Sequence, residues 1–277
     1  MFQKTRDIPT LRRIARQVRR DILTMIHRAG SGHPGGSLSA VEVLVALYFA
    51  EMNHRPDQPK WPDRDRFVLS KGHGCACQYA VMSACGYFSR EVMMTYREMG
   101  SPLQGHPSTT DMPILEFPTG SLGQGLSGAQ GIALAGKLDK KDYRVYVVCG
   151  DGEIQEGQIW EAAMSGAKLK LDNLCAIVDY NGVQQTHPVA ETKPLEPLAA
   201  KWTAFGWHAL EIDGHDFPQI LAALDAARNA KGRPTMIIAR TVKGKGVSYM
   251  EGKPDWHGKA PNDEEFEQAL AELPEID

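Results

Sequence analysis

Tyr143-Arg144-Val145-Tyr146-Val147-Val148-Cys149-Gly150-Asp151-Gly152-Glu153 runs from an apolar stretch straight into a turn of two glycines and two acids. Its side chains do not alternate between apolar and polar, so Tyr143–Cys149 predicts a strand covered on both faces, as in the middle of a parallel sheet. Downstream, Leu174–Asp179 repeats the pattern and ends in Tyr180-Asn181-Gly182-Val183. Further out, Phe67–Ser70, Trp207–Asp213 and Thr235–Thr241 also read as strands. Between them Cys75–Cys85, Gly125–Leu138, Gly157–Leu169, Leu195–Phe205 and Phe217–Ala230 carry helical periodicity with turn residues at their ends. Strands alternating with helices predict an α/β fold, a doubly wound and mostly parallel sheet flanked by helices. With no repeat or linker in sight, residues 1–277 are expected to form one domain.

Composition sets bounds on the function. The chain has 42% hydrophobic and 23% charged residues, and 31 basic against 34 acidic side chains leave a net charge of −3. No whole-molecule field would draw it to nucleic acid or to an anionic membrane. No apolar run reaches the roughly 18 residues of a membrane span, since Ala40–Ala50 contains Glu42. Five cysteines without CxxC spacing suit a reducing, cytoplasmic compartment. Leu11, Ile14, Ala15, Val18, Ile22, Met25 and Ile26 keep helical spacing, so the Arg-rich start reads as a helix of the fold rather than a transit peptide. The stretch from Glu251 is acidic, so the two ends carry opposite charge and could face each other or a second chain, with solvated faces as the default.

In such a sheet ligands lie beyond the carboxyl ends of the strands. Asp151 and Asn181 each follow a strand there, and together they suit an octahedral Mg²⁺ with room for phosphate oxygens, although Gly-Asp-Gly by itself is an ordinary turn. Thr119-Gly120-Ser121-Leu122-Gly123-Gln124-Gly125 opens a helix and so offers N–H groups to a diphosphate. Gly123-x-Gly125-x-x-Gly128 matches the dinucleotide fingerprint only in form, because no strand precedes it. Four histidines, His33, His73, His106 and His257, sit among glycines and prolines that clear space around each ring, as proton relay requires. His73 with Cys75 and Cys77 lacks the second ligand pair that zinc needs.

These motifs together resemble the N-terminal half of transketolase, a thiamine diphosphate enzyme. Ser31-Gly32-His33-Pro34-Gly35, Ser70-Lys71-Gly72-His73-Gly74, Gly105-His106-Pro107, the Thr119–Gly125 loop, Gly150-Asp151-Gly152-Glu153 and Lys243-Gly244-Lys245-Gly246 occur in that family's order over nearly the whole chain. The resemblance implies that Asp151, Asn181 and the Val183 carbonyl hold Mg²⁺, or another small divalent cation such as Ca²⁺ or Mn²⁺. It implies that His73, Gly120, Ser121, Leu122, Gly152, Glu153, Asn181 and His257 contact thiamine diphosphate. His33, His106 and His257 would line the substrate funnel, with His33, His73 and His257 catalytic. Ser121 stands where the family commonly has proline, and Tyr180 where it has an acid or amide.

Transketolases continue into a pyrimidine-binding and a C-terminal domain. The resemblance therefore implies the N-terminal subunit of a split enzyme, working with a C-terminal, pyrimidine-binding subunit in an α2β2 heterotetramer. The pair would move a two-carbon ketol unit from a ketose phosphate to an aldose phosphate, in pentose phosphate or specialised sugar metabolism. Two other readings are the α subunit of a 2-oxo acid dehydrogenase and a non-catalytic binding module on the same scaffold.

Overall fold

A computed structural model describes residues 3–274; Glu275 and Asp277 of the acidic end lie outside the described residues. Five strands, β1 (Arg66–Leu69), β2 (Val145–Gly150), β3 (Leu174–Tyr180), β4 (His208–Asp213) and β5 (Thr235–Arg240), form one sheet in the order β1-β2-β3-β5-β4. Every pairing is parallel, as the unalternating strands predict. The pleat sends Tyr146 and Val148 of β2 into one core and Val145, Val147 and Cys149 into the other. β3 and β5 divide their side chains in the same way. β4, at the edge, is half exposed.

The first core is roofed by the helices Ile8–Ala29, Cys75–Cys85 and Phe217–Asn229, and the second by Gln124–Leu138, Gly157–Lys168 and Leu198–Ala204. Ile8–Ala29 starts where Asp7 accepts the Thr10 N–H at 3.0 Å and stops at Gly30, whose φ of 62° a side chain would resist. The apolar stretch around Glu42 forms a helix over Val41–Val45 that widens into a π-type turn over Ala46–Glu51. The oppositely charged ends do meet. His27 pairs with Asp263 at 2.9 Å, and Arg20 caps the helix Asp263–Glu272 by donating to the Leu273 carbonyl at 2.6 Å.

Register brings the functional segments together. Gly150 lies beside Asp179, and Tyr180 beside Arg240, so the turns after β2, β3 and β5 leave the sheet side by side. A cavity opens at these carboxyl ends, where such sheets place their ligands.

Candidate functional site

Asp179, at the end of β3, is completely buried. It accepts from Ser39 Oγ at 2.6 Å, from Thr241 Oγ1, and from the ammonium of Lys71, itself 1% exposed. Burial alone would raise its carboxyl, but the Lys71 charge and these donors outweigh that and hold it below the usual range. Lys71 also donates to the Gly36 carbonyl at 2.7 Å, tying the turn after β1 to the segment after the first helix.

Asp151 follows β2 and is 3% exposed. It accepts the Gly152 N–H at 2.7 Å and the Gly182 N–H at 2.6 Å, so one carboxylate shapes both turns. Burial, then the neighbouring Asp179 charge, pushes its carboxyl up to about 6. Asn181 Oδ1 accepts from Val183 N at 3.1 Å, and the Val183 carbonyl accepts from Lys243 Nζ at 3.0 Å. Lys243 is 1% exposed and also donates to Gln184 O at 3.2 Å and to His257 Nδ1 at 2.9 Å. Burial, then repulsion from Lys71, brings its ammonium down to about 8. An ammonium only donates, so His257 Nδ1 is the acceptor and the ring proton sits on Nε2.

The four histidines converge. His33 lies 5.5 Å from His73, 6.0 Å from His106 and 5.5 Å from His257, ring centre to ring centre, and His73 and His257 are 5.1 Å apart. Gly36 makes room here: a Cβ would stand 3.3 Å from His73 Nε2. All four rings are held neutral at pH 7. Burial and then the Arg97 charge lower His33 to about 4, and burial and then Lys243 lower His257 to about 3. His73 is lowered by burial and then by Lys71, and His106 by burial and then by Arg97. His33 Nδ1 and Thr119 Oγ1 are buried without a hydrogen-bond partner among the described residues.

Two cavities meet at this place. One, ≈ 250 Å³, is lined by Gly36, Lys71, Asp151, Gly152, Glu153, Asn181, Val183 and Lys243; the other, ≈ 530 Å³, by His33, His106, Gly120 and Gly258. His73, Leu122, Gln185 and His257 line both. The structure thus gathers every residue singled out in the sequence except Ser121, which is exposed and lines neither cavity.

The Thr119–Gly125 loop behaves differently from the expectation. It does open the helix Gln124–Leu138, but the Gly123 N–H donates to Glu153 Oε1 at 3.0 Å. Glu153 also accepts from Gly150 N at 2.9 Å and from Ser70 Oγ, so its carboxylate braces three segments and takes the place of a ligand anion at the helix start. The loop reaches the cavities through Gly120 and Leu122 instead. Sequence reasoning missed the roles of Lys71, Lys243 and Asp179, although all three stood inside the motifs quoted above. The signal they offered was their position: each lies at a strand end or in the segment that follows it, and Lys71 and Lys243 each precede a glycine.

Known proteins resemble this chain in sequence and fold. Residues 10–273 match the family described as transketolase, thiamine diphosphate binding domain. The chain is 45% identical over 268 residues to one of the subunits of the apulose-4-phosphate transketolase of Phocaeicola vulgatus, covering 97% of this chain and 95% of that protein. It is 46% identical over 259 residues to the 6-deoxy-6-sulfo-D-fructose transketolase subunit SqwG of Clostridium sp. (strain MSTE9), covering 94% of each. Among solved structures, transketolase from Campylobacter jejuni superposes with a TM-score of 0.91 at 33% identity, covering 96% of this chain and 43% of that one. The chain belongs to the transketolase family, as its thiamine diphosphate binding, N-terminal part.

Proposed function

We propose that this chain is the N-terminal subunit of a split transketolase, a transferase that moves a two-carbon ketol unit once joined by its C-terminal, pyrimidine-binding subunit. The observation that carries the reading is the meeting of four neutral histidines with a rim of buried Lys71, Asp151 and Lys243 across two adjoining cavities. The α subunit of a 2-oxo acid dehydrogenase shares the Gly-Asp-Gly turn but not the Ser-Gly-His-Pro-Gly and Gly-His-Pro loops that supply His33 and His106.

The rim residues fit thiamine diphosphate with a small divalent cation. Asp151, Asn181 and the Val183 carbonyl are hard oxygen donors on one cavity, and a cation beside Asp151 would relieve a carboxylate that burial and Asp179 disfavour. Among the described residues no group of three or more His, Cys, Asp or Glu side chains stands ready to hold a metal, which is consistent with a set that has a single carboxylate. Mg²⁺ is the first choice, with Ca²⁺ and Mn²⁺ as alternatives. Lys71 and Lys243 add positive charge for a diphosphate, beside the cofactor positions His73, Gly120, Leu122, Gly152, Glu153, Asn181 and His257. Because Glu153 gives both carboxylate oxygens to the chain, its part is to hold the Gly150 turn in place.

Bound thiamine diphosphate supplies the electron sink for breaking and making the carbon–carbon bond. His257 keeps its proton on Nε2, where it can donate to a substrate oxygen, and His33, on the wall of the wider cavity, is placed to bond a substrate hydroxyl. His33, His106 and His257 surround the wider cavity as the substrate side, with His33, His73 and His257 in catalytic roles.

Both relatives are named as subunits, which supports a partner, here taken to complete an α2β2 heterotetramer. Exposed Leu138, Met164 and Leu169 on two neighbouring helices support a surface that the partner covers. The match over residues 10–273 and the single sheet support one domain over 1–277. Free, buried cysteines support the cytoplasm, and no helix among the described residues is long and apolar enough to cross a membrane. The two relatives are named for different anionic ketoses, which supports a specialised ketose donor, while an aldose phosphate remains the acceptor.

The test is an assay of the assembled complex with thiamine diphosphate and Mg²⁺. Ketol transfer from a ketose phosphate to an aldose phosphate is expected. Turnover of a 2-oxo acid with acyl transfer to a lipoyl domain would favour the dehydrogenase, and no turnover of either would favour a binding module.

A further inference from the structure

Lys243 projects from the segment that follows β5, and a buried cluster outside both cavities holds that segment on either side of it. On one side, Val242 N–H donates to His215 Nε2 at 2.9 Å. On the other, the Lys245 carbonyl accepts from Arg19 Nε at 2.9 Å. The two arms join at Glu42. Arg19 grips its carboxylate with two bonds, at 2.6 and 2.8 Å, and His215 Nδ1 lies 2.9 Å from Glu42 Oε2.

The protonation pattern follows from the geometry. A backbone N–H can only donate, so His215 Nε2 accepts and the ring carries its proton on Nδ1, toward Glu42. Glu42 is therefore saturated by three donors while 8% exposed, and Arg19 is 6% exposed. Two glycines allow the approach. A Cβ on Gly214 would stand 2.4 Å from Thr241 Cγ2, and Gly246, at φ 95°, lies against Arg19 with a Cβ only 3.0 Å from its Cδ. A buried ion pair of this kind adds little net stability over apolar packing, so its value lies in fixing one geometry.

We infer that Arg19, Glu42 and His215 are positioning residues that clamp Val242 and Lys245 and so place the Lys243 ammonium at the cofactor's diphosphate end. The inference rests on the reading of the rim as the thiamine diphosphate site. None of the three lines either cavity, so they act only through the segment they hold.

The test is a cycle of variants in the assembled complex, read as thiamine diphosphate affinity by calorimetry in the presence of Mg²⁺. His215→Asn keeps a donor facing Glu42 but offers no acceptor to Val242 N–H. It should weaken the cofactor about 10-fold, in line with the loss of groups that orient a ligand-holding residue. His215→Gln, whose amide oxygen reaches the position of Nε2, should recover most of that loss. In a Lys243→Met background, which weakens the cofactor by itself, His215→Asn should cause no further loss. If His215→Asn fails to assemble, Glu42→Gln keeps the shape and carries the same cycle. Wild-type affinity in the clamp variant, or an equal loss with and without Lys243, overturns the inference while leaving the site reading intact. If wild type does not bind thiamine diphosphate, or Lys243→Met binds it as tightly, the site reading fails and the clamp falls with it.

Discussion

The rim around Asp151 and the cluster around His33 adjoin each other but are built in opposite ways. At the rim, Asp151, Glu153, Asp179, Lys71 and Lys243 are buried, and each is bonded within the chain: Lys71 to Asp179, and the rest to backbone of the surrounding turns and to the side chains of Ser39, Ser70, Thr241 and His257. In the cluster, rings face rings, and His33 Nδ1 has no partner among the described residues. A saturated network is rigid before any ligand arrives, whereas neutral rings with spare nitrogens have bonds left to give. On the proposed reading, binding belongs to the first region and hydroxyl chemistry to the second.

The sharpest way to break that division is to remove one member of each region. Asp151→Ala should take thiamine diphosphate binding by the assembled complex, followed by calorimetry with Mg²⁺, out of the measurable range, because it deletes the anchor of two turns and, on the proposed reading, an oxygen ligand of the metal. Unchanged affinity would move the metal elsewhere. His73→Ala and His257→Ala should instead lower kcat by about 10²–10⁴-fold, the usual contribution of a positioned acid or base, with the melting temperature little changed. Equal turnover in wild type and both variants would reduce the rings to cavity lining.

Rigidity of the rim is tested through stability. Lys71→Met leaves Asp179 charged and unpaired in the core and should cost about 3–5 kcal/mol in urea unfolding, with partial recovery in Lys71→Met/Asp179→Asn. A loss below about 1 kcal/mol would mean that the pair is dispensable.

The smallest effect concerns the histidines. His33 is lowered from 6.5 to about 4, so the unfolded chain takes up its proton first as pH falls. Above pH 6.5 this group has no effect; between 6.5 and about 4 it removes stability progressively. His33→Gln should therefore lose less stability than wild type between about pH 7 and 4.5. Identical pH profiles would show that the ring is not held neutral.

What could be read from sequence follows the same division. Apolar strands, glycine turns and glycine-flanked histidines have local signatures, so β1 to β5, Asp151, Asn181 and the four rings were all legible. Lys71 and Lys243 were not, because a lysine that will be buried looks like any other until the strand order puts Asp179 and Val183 beside it. The same holds for Glu153: the sequence marks it at a turn, but only the fold brings Ser70 and Gly123 to its carboxylate. His215 follows Gly214, but nothing local marks its role, because its partner Glu42 lies 173 positions away.

The central claim is that this chain holds the cofactor's diphosphate end and the histidines yet needs a second polypeptide to complete the reaction. The direct measurement is ketol transfer by the purified, monodisperse chain saturated with thiamine diphosphate and Mg²⁺, with a ketose phosphate donor and an aldose phosphate acceptor, before and after addition of the pyrimidine-binding partner. The account predicts no turnover before and robust turnover after; robust turnover by the chain alone would contradict it.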